Sequence, residues 1–142
     1  MAYQIRKSSR ITEELELLGE NGNVEKVLKI DIDTDRIMRD YRIAEIKLLN
    51  AQKAAREKSS TETLENYGEA VTAFFRLVFG DDNTDEMLDY FSRRYTEMLI
   101  QTMPFITDVI KPAIADAAAA QKSRLANNLN FSRRQKRKLG LK

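Results

Sequence analysis

The apolar residues of this chain change their period once, near residue 33, and that change constrains what the chain can fold into. Over residues 12–32, TEELELLGENGNVEKVLKIDI, Leu15 and Leu17 alternate with Glu14 and Glu16, and Leu28, Ile30 and Ile32 alternate with Lys29 and Asp31. A period of two belongs to a strand with one face buried. Between the two runs lies GENGN, whose Gly19, Asn21, Gly22 and Asn23 tolerate positive φ, so residues 12–32 read as a β-hairpin. The loop is longer than the ideal two residues, which leaves the pairing register open.

Beyond residue 33 every apolar row has helical spacing. Asp33 or Thr34 caps a helix that carries Ile37, Tyr41, Ala44, Leu48, Ala51 and Ala55, with Met38 and Leu49 widening the stripe. Ser59 and Glu62 read as a capping box for a second helix bearing Leu64, Tyr67, Val71, Phe74, Phe75 and Val78, which ends at Gly80 in a left-handed conformation. Asn83 with Glu86 marks the start of a third, carrying Met87, Leu88, Phe91, Tyr95, Met98 and Leu99 and stopping near Pro104. A fourth follows on Ile106, Val109, Ile110, Ala113, Ile114, Ala117 and Ala120, kinked or restarted by Pro112. Its small face, Ala117 to Ala120, fits either a close helix approach or plain helix propensity. The expected fold class is mainly α, an N-terminal β-hairpin followed by about four helices and a basic C-terminal tail. One helical domain spans 1–130, and residues 131–142 form a flexible tail.

The chain of 142 residues has no Cys and no His. That removes thiol nucleophiles, zinc fingers, serine triads and any imidazole base. No Gly-rich phosphate loop is present, and the carboxylates are spread over polar helix faces, so the chain reads as no enzyme and as holding no cofactor. Its longest apolar region, LIQTMPFITDVIKPAIADAAAA, is broken by Asp108, Lys111 and Asp116, which argues against a membrane span and for a soluble cytosolic protein.

FGDDNTDEM, residues 79–87, has the look of a cation loop. Asp81, Asn83 and Asp85 match alternating ligands of a calcium-binding EF-hand, but the sixth position is Glu86 where Gly is needed and the twelfth is Ser92 where Glu is needed. The stretch is read as a junction between two helices, with no metal.

Charge is unevenly placed. The last twelve residues, FSRRQKRKLGLK, hold six of the 24 basic residues and no acid, leaving 18 basic against 22 acidic over residues 1–130. A body of about −4 thus carries a tail of +6, a contact for something anionic.

The run AVTAFFRLVFGDDNTDEMLDYF, with a hairpin and a long charged helix before it and a helix and a basic end after it, resembles the tail assembly chaperones of long-tailed, siphovirus-type bacteriophages and prophages. The most recognisable piece is the helix end Phe75, Arg76, Leu77, Val78, Phe79, Gly80 followed by acid, and NNLNFSRRQKRK is similar to the family's terminal pattern. The resemblance covers most of the chain. It implies a protein of the bacterial host cytoplasm that binds the tape measure protein, the long apolar helical rod that sets tail length, while tail tube subunits assemble around it. It also implies absence from the mature virion and, in the family, a longer product made by frameshifting.

A helical surface rich in Met and aromatic residues can take an amphipathic helix in a groove, and Phe74, Phe79, Met87, Met98 and Met103 are the candidate partner-binding residues. The competing reading places them in the domain's own core. Arg133, Arg134, Lys136, Arg137 and Lys138 are the charged candidates in the tail. Through them the alternative is a nucleic-acid-binding protein or a structural head or tail protein. Against nucleic acid stand the acidic body and the lack of a basic, aromatic helix face. Self-association and the exact partner face are left open by the sequence.

Overall fold

The computed structural model describes residues 2–4 and 10–130; the expected basic tail, 131–142, lies outside them. Strands β1 (Arg10–Leu18) and β2 (Val24–Asp33) pair antiparallel, with Ile11 opposite Ile32, Leu15 opposite Leu28 and a bulge at Leu17/Leu18. The hairpin is therefore present and slightly longer than its alternating run. Its loop closes through the Gly19 N–H to Asn23 O at 2.8 Å and the Gly22 N–H to Gly19 O at 2.9 Å, with Gly22 at φ +80°. Pairing in this register puts Leu17, Leu28, Ile30 and Ile32 on one buried face.

Helix α1 (Thr34–Glu57) starts where β2 ends, because the Asp33 side chain accepts from the N–H groups of Asp35 and Arg36. This uses two of the four donors a helix start leaves unpaired. Helix α2 (Thr61–Phe79) is capped by Ser60 and not by Ser59: Ser60 Oγ accepts from the Thr63 N–H at 3.1 Å, and Thr63 Oγ1 accepts from the Ser60 N–H at 2.9 Å. Ser59 instead donates to Ala55 O. With Ser60 as the cap the third position is Thr63, whose hydroxyl reaches back to the cap N–H as a Glu or Gln does in the usual box.

Gly80 ends α2 and begins α3 (Asp81–Tyr90) in a single residue, with φ +86° and ψ 167°. The positive φ is as expected, but the ψ places it outside the left-handed helical region, in a region open almost only to glycine. Asn83 does not cap α3. Its Nδ2 donates to Phe79 O at 3.1 Å and to Lys29 O at 3.0 Å, which ties the helix junction to β2.

The third and fourth helices divide at a different place from the one expected. After α3 the chain turns at residues 91–94, with Ser92 and Arg93 at φ 52° and 58°, and α4 (Tyr95–Phe105) follows. Pro104 lies inside α4 and does not stop it. The helical path continues through a π turn, Ile106–Ile110, into α5 (Lys111–Asn130), with the Lys111 N–H donating to Ile106 O five residues back. The wider turn falls where the Pro112 ring would otherwise press on the carbonyl four residues before it. Counting α4, the π turn and α5 as one path, four helical segments follow the hairpin.

One apolar cluster joins the hairpin to all four segments, with Phe75, Ile30, Ile37, Met87, Met98, Ile106 and Ile110 fully enclosed. Burying each such side chain is worth roughly 1.5–3 kcal/mol. The hairpin is docked on α3 by Tyr90, whose hydroxyl donates to Leu18 O at 2.5 Å, by Asn83, and by an ion pair between Lys26 and Glu86. No helix among the described residues is long and apolar enough to cross a membrane.

Candidate functional site

Four of the five apolar residues expected on a partner surface are buried. Phe74 packs against Tyr41 with ring centroids 5.6 Å apart, Phe79 lies between Phe75 and Phe105 at 5.3 and 6.0 Å, and Met87 and Met98 are fully enclosed. Their helical spacing is core spacing, so in this fold they offer nothing to a partner. Met103 differs, at 44% exposed. Arg133, Arg134, Lys136, Arg137 and Lys138 lie outside the described residues.

Met103 belongs to an apolar groove of about 540 Å³ between α1 and α4. Leu48 and Leu99, both buried, belong to its lining, and Leu49, Ile100, Met103 and Pro104 flank them. Leu49 is 54% and Ile100 61% exposed. The groove exists because the two helices supply one apolar residue more than the core can cover. On α1, Leu48 belongs to the buried stripe and Leu49 falls 100° outside it; on α4, Leu99 and Ile100 repeat that relation. Sequence reasoning found Leu49 as a widening of the stripe and missed Ile100. Two adjacent apolar residues on both of two helices is the signal that could have found it.

Asp108 is the one charged residue of the groove's lining; Gln52, Thr96 and Thr107 are its neutral polar ones. Lys111 Nζ meets Glu45 Oε2 at 3.3 Å and ties α5 to α1. Asp108 makes no ion pair among the described residues, whereas Glu45, Lys53 and Glu57 do.

Two other concavities have different chemistry. One of about 740 Å³, between the hairpin loop and α3–α4, is lined by Glu20, Glu25, Glu86, Asp89 and Glu97 with Arg94. Among the described residues no three acidic side chains are grouped to hold a metal ion. The other, about 730 Å³ along α2, includes Leu64, Gly68, Thr72, Arg93 and Tyr95.

The EF-hand-like acids have structural partners of their own. Asp85 accepts from Arg76 Nη2 at 2.8 Å and Asp81 lies 3.4 Å from Nη1, so the guanidinium pKa is raised, first by its hydrogen bond to Asp85. Tyr41 is the one buried side chain among the described residues whose polar atom lacks a hydrogen-bond partner. Burial, with the charge of Glu45 nearby, pushes its phenol well above the usual range.

Comparison of the chain with protein-family models, with curated proteins and with solved structures finds no match. The groove's own chemistry is an apolar floor flanked by the exposed side chains of Leu49, Ile100 and Met103.

Proposed function

We propose that the protein is a tail assembly chaperone of a long-tailed phage or prophage, acting in the bacterial host cytoplasm. It covers the apolar stripe of the tape measure protein in the α1–α4 groove, so that the rod stays soluble while tail tube subunits assemble, and it leaves before the virion matures. The reading starts from the resemblance of residues 70–91 and their surroundings to that family. The observation that carries it is the groove, where Leu49, Ile100 and Met103 lie open to solvent beside an apolar floor. Exposed apolar residues in one concavity, flanked by polar ones, mark a helix-binding surface.

Covering these partly exposed side chains gains roughly 2–4 kcal/mol per copy before the cost of association. Contact at that level is reversible, and a rod whose stripe repeats needs several copies to cover it. Tail tube subunits could then displace the copies one at a time.

The test is co-expression with the tape measure protein encoded beside this chain, reading the soluble fraction of the rod. Wild type is expected to keep it soluble, and Ile100→Asp with Met103→Glu to return it to the pellet. Both positions are exposed, so the variant folds, which circular dichroism checks. A rod that stays insoluble with wild type present would defeat the chaperone reading; equal rescue by the variant would move the surface elsewhere.

A further inference from the structure

The outer edge of β1 is open. Among the described residues the sheet has two strands, so the backbone groups of Arg10–Leu18 that point away from β2 meet no further strand. Glu13 belongs to the core-facing row of Ile11, Leu15 and Leu17, yet it is exposed, which shows that the space beside this row is not filled. Next to Leu15 and Leu17 a crevice of about 210 Å³ separates β1 from Gln101 and Phe105 of α4. Glu14 and Glu16 stand on the other row. None of Glu13, Glu14 and Glu16 makes an ion pair among the described residues, although Lys29 lies opposite Glu14 in the ladder. The edge is thus acidic on both faces.

We infer that this edge takes the basic tail of a second copy, residues 133–139, as a third strand antiparallel to β1. Acids on an edge strand keep most other strands away. Two β1 edges paired about Glu14 would set acid against acid, which is destabilising, so the edge admits a strand of opposite charge. RRQKRKL matches it position by position. With Gln135 beside Leu15, Arg134 falls beside Glu16, Lys136 beside Glu14 and Arg137 beside Glu13, and Leu139 meets Ile11. Gln135 is the one uncharged residue of 133–138, and Leu15 is the one uncharged residue of 13–16. A parallel strand would match the same three acids, but it reaches Ile11 only with Phe131, directly after the last residue of α5. The antiparallel strand leaves Phe131 and Ser132 as a joint, and it is the slightly more stable pairing. Main-chain hydrogen bonds along the edge supply affinity, and the charges fix the register.

The tail comes from a second copy because a chain's own β1 is out of its reach. Leu17, where the added strand begins, shares the crevice with Gln101. From Gln101 to Asn130 the chain is one helical path of 29 residues, roughly 43 Å if straight. Lys111 ties the start of α5 to Glu45 of α1, and residues 118–127 are exposed throughout, so α5 runs out from the domain. The three residues from Asn130 to Arg133 span at most about 11 Å. A copy that receives a tail at β1 and donates its own beyond α5 makes a head-to-tail contact, which extends to a third copy. The contact uses none of Leu49, Ile100 and Met103, so it is independent of the α1–α4 groove and of the reading built on it.

The chain has no Cys, so Ser132→Cys or Gly140→Cys gives a single attachment point for a nitroxide. Isotope-labelled full chain without nitroxide is mixed with unlabelled full chain that carries one, so every broadened amide reports contact between copies. A nitroxide at 140 is expected to broaden the amides of Arg10, Ile11 and Thr12, and one at 132 those of Leu17 and Leu18. Glu13→Lys with Glu14→Lys and Glu16→Lys in the labelled chain should weaken the contact about tenfold, the loss of three exposed pairs. Arg134→Glu with Lys136→Glu and Arg137→Glu in the nitroxide chain should restore it, which also shows that the lysine variant is folded. No broadening at millimolar concentration, broadening centred away from β1, the two nitroxides acting at exchanged ends, or equal broadening of the lysine variant would each overturn the inference. So would broadening seen only within a chain that carries both isotope and nitroxide, which would give the edge to the chain's own tail. Rod solubility does not enter this readout, so failure here and failure of the groove reading are distinguishable.

Discussion

The ring of Tyr95 occupies the space where Gly68 would carry a side chain: a Cβ built on Gly68 falls 2.6 Å from Tyr95 Cε2 and 2.9 Å from Cζ. This is how α4 comes close to α2 directly after the turn at residues 91–94. The ring is held edge-on to Tyr67, with centroids 6.5 Å apart, and the Tyr67 hydroxyl is 3.0 Å from Thr96 Oγ1. In an open helix Gly→Ala stabilises by about 1 kcal/mol. Here Gly68→Ala is expected to destabilise by about 1–2 kcal/mol, because the ring must leave its place. The sign should reverse in a Tyr95→Ala background, where Gly68→Ala gains its ordinary helix propensity. Urea unfolding of the four proteins in the cycle measures this, and destabilisation of equal size in both backgrounds would show that the ring is not the cause.

Gly80 gives a second backbone prediction of a different kind. No atom lies within 4 Å of a Cβ built there, so the cost of substitution is conformational and not steric. At φ +86° and ψ 167° any L side chain is strained by about 1–3 kcal/mol. Gly80→Val and Gly80→Ala should both destabilise by that amount. Gly80→Asn should be no better than Gly80→Ala, since Asn relieves only the left-handed helical region, where ψ is near +45°. Recovery of thermal midpoint by Asn would place Gly80 in that region after all.

Why the junction at Gly80 could be read and the one at residues 91–94 could not is a matter of residue type. A glycine before an acidic run signals a helix change through its own chemistry. Ser92 and Arg93 carry no such signal, and they adopt positive φ only because the packing of α3 and α4 on the core requires the turn. The apolar spacing hides it as well: Phe91 and Tyr95 stand four apart, as they would in one unbroken helix. Pro104 misled in the opposite direction. Its missing N–H frees the carbonyl of Ile100, a residue on the exposed side of α4, where solvent can satisfy it. The hairpin, α1 and α2 were legible because their periods are clean and their ends have capping residues within one position of those used. At the groove, helical spacing identified the core face, yet exposure depends on which elements cover that face, and spacing alone does not contain that information. Met103 and Phe74 look equivalent in the sequence; only the packing separates them.

Tyr41 supplies a prediction in pH. Its phenol is buried with no hydrogen bond of ordinary geometry, and its pKa is raised above the ordinary 10.0, first by burial and then by the charge of the Glu45 carboxylate and the contact with it. Above pH 10 the unfolded chain releases this proton while the folded one retains it, so the unfolded state binds fewer protons and stability falls as pH rises. The contribution is fully present below pH 10 and lost above it. Tyr41→Phe should flatten the fall between pH 10 and 11 and, by removing an unsatisfied hydroxyl, leave stability at pH 7 unchanged or raised by up to about 1 kcal/mol. Destabilisation of more than 1 kcal/mol at pH 7 would mean that the hydroxyl has a partner worth keeping.

The acidic junction is predicted not to bind calcium at micromolar concentration. Asp81 and Asp85 are engaged with Arg76, and Asn83 turns its amide nitrogen to the carbonyls of Lys29 and Phe79. A cation would have to displace the guanidinium and turn the amide away from β2. Titration calorimetry with calcium should show no stoichiometric heat, and Asn83→Ala should instead destabilise the fold by about 1–2 kcal/mol through its two hydrogen bonds. A stoichiometric heat that Asp81→Ala abolishes would restore the metal site.

Deleting residues 131–142 separates contact through the groove from contact through the six basic residues of the tail. Burial of an apolar stripe depends weakly on salt, so the truncated protein is expected to keep the tape measure protein soluble about as well as the full chain, at low and at high ionic strength. Phosphate contact behaves oppositely: log affinity for duplex DNA would fall against log salt with a slope of up to about −5 if all six charges were engaged, and truncation would remove the binding altogether. The body that remains carries 18 basic and 22 acidic residues, a balance that repels nucleic acid and is indifferent to an apolar rod. Measuring rod solubility and DNA affinity for both lengths, each at two salt concentrations, gives four comparisons with opposed expectations. Rod solubility that disappears with the tail would move the chaperone surface off the α1–α4 groove. Steeply salt-dependent DNA binding by the full chain, with no effect on the rod at either length, would favour a nucleic-acid-binding protein instead.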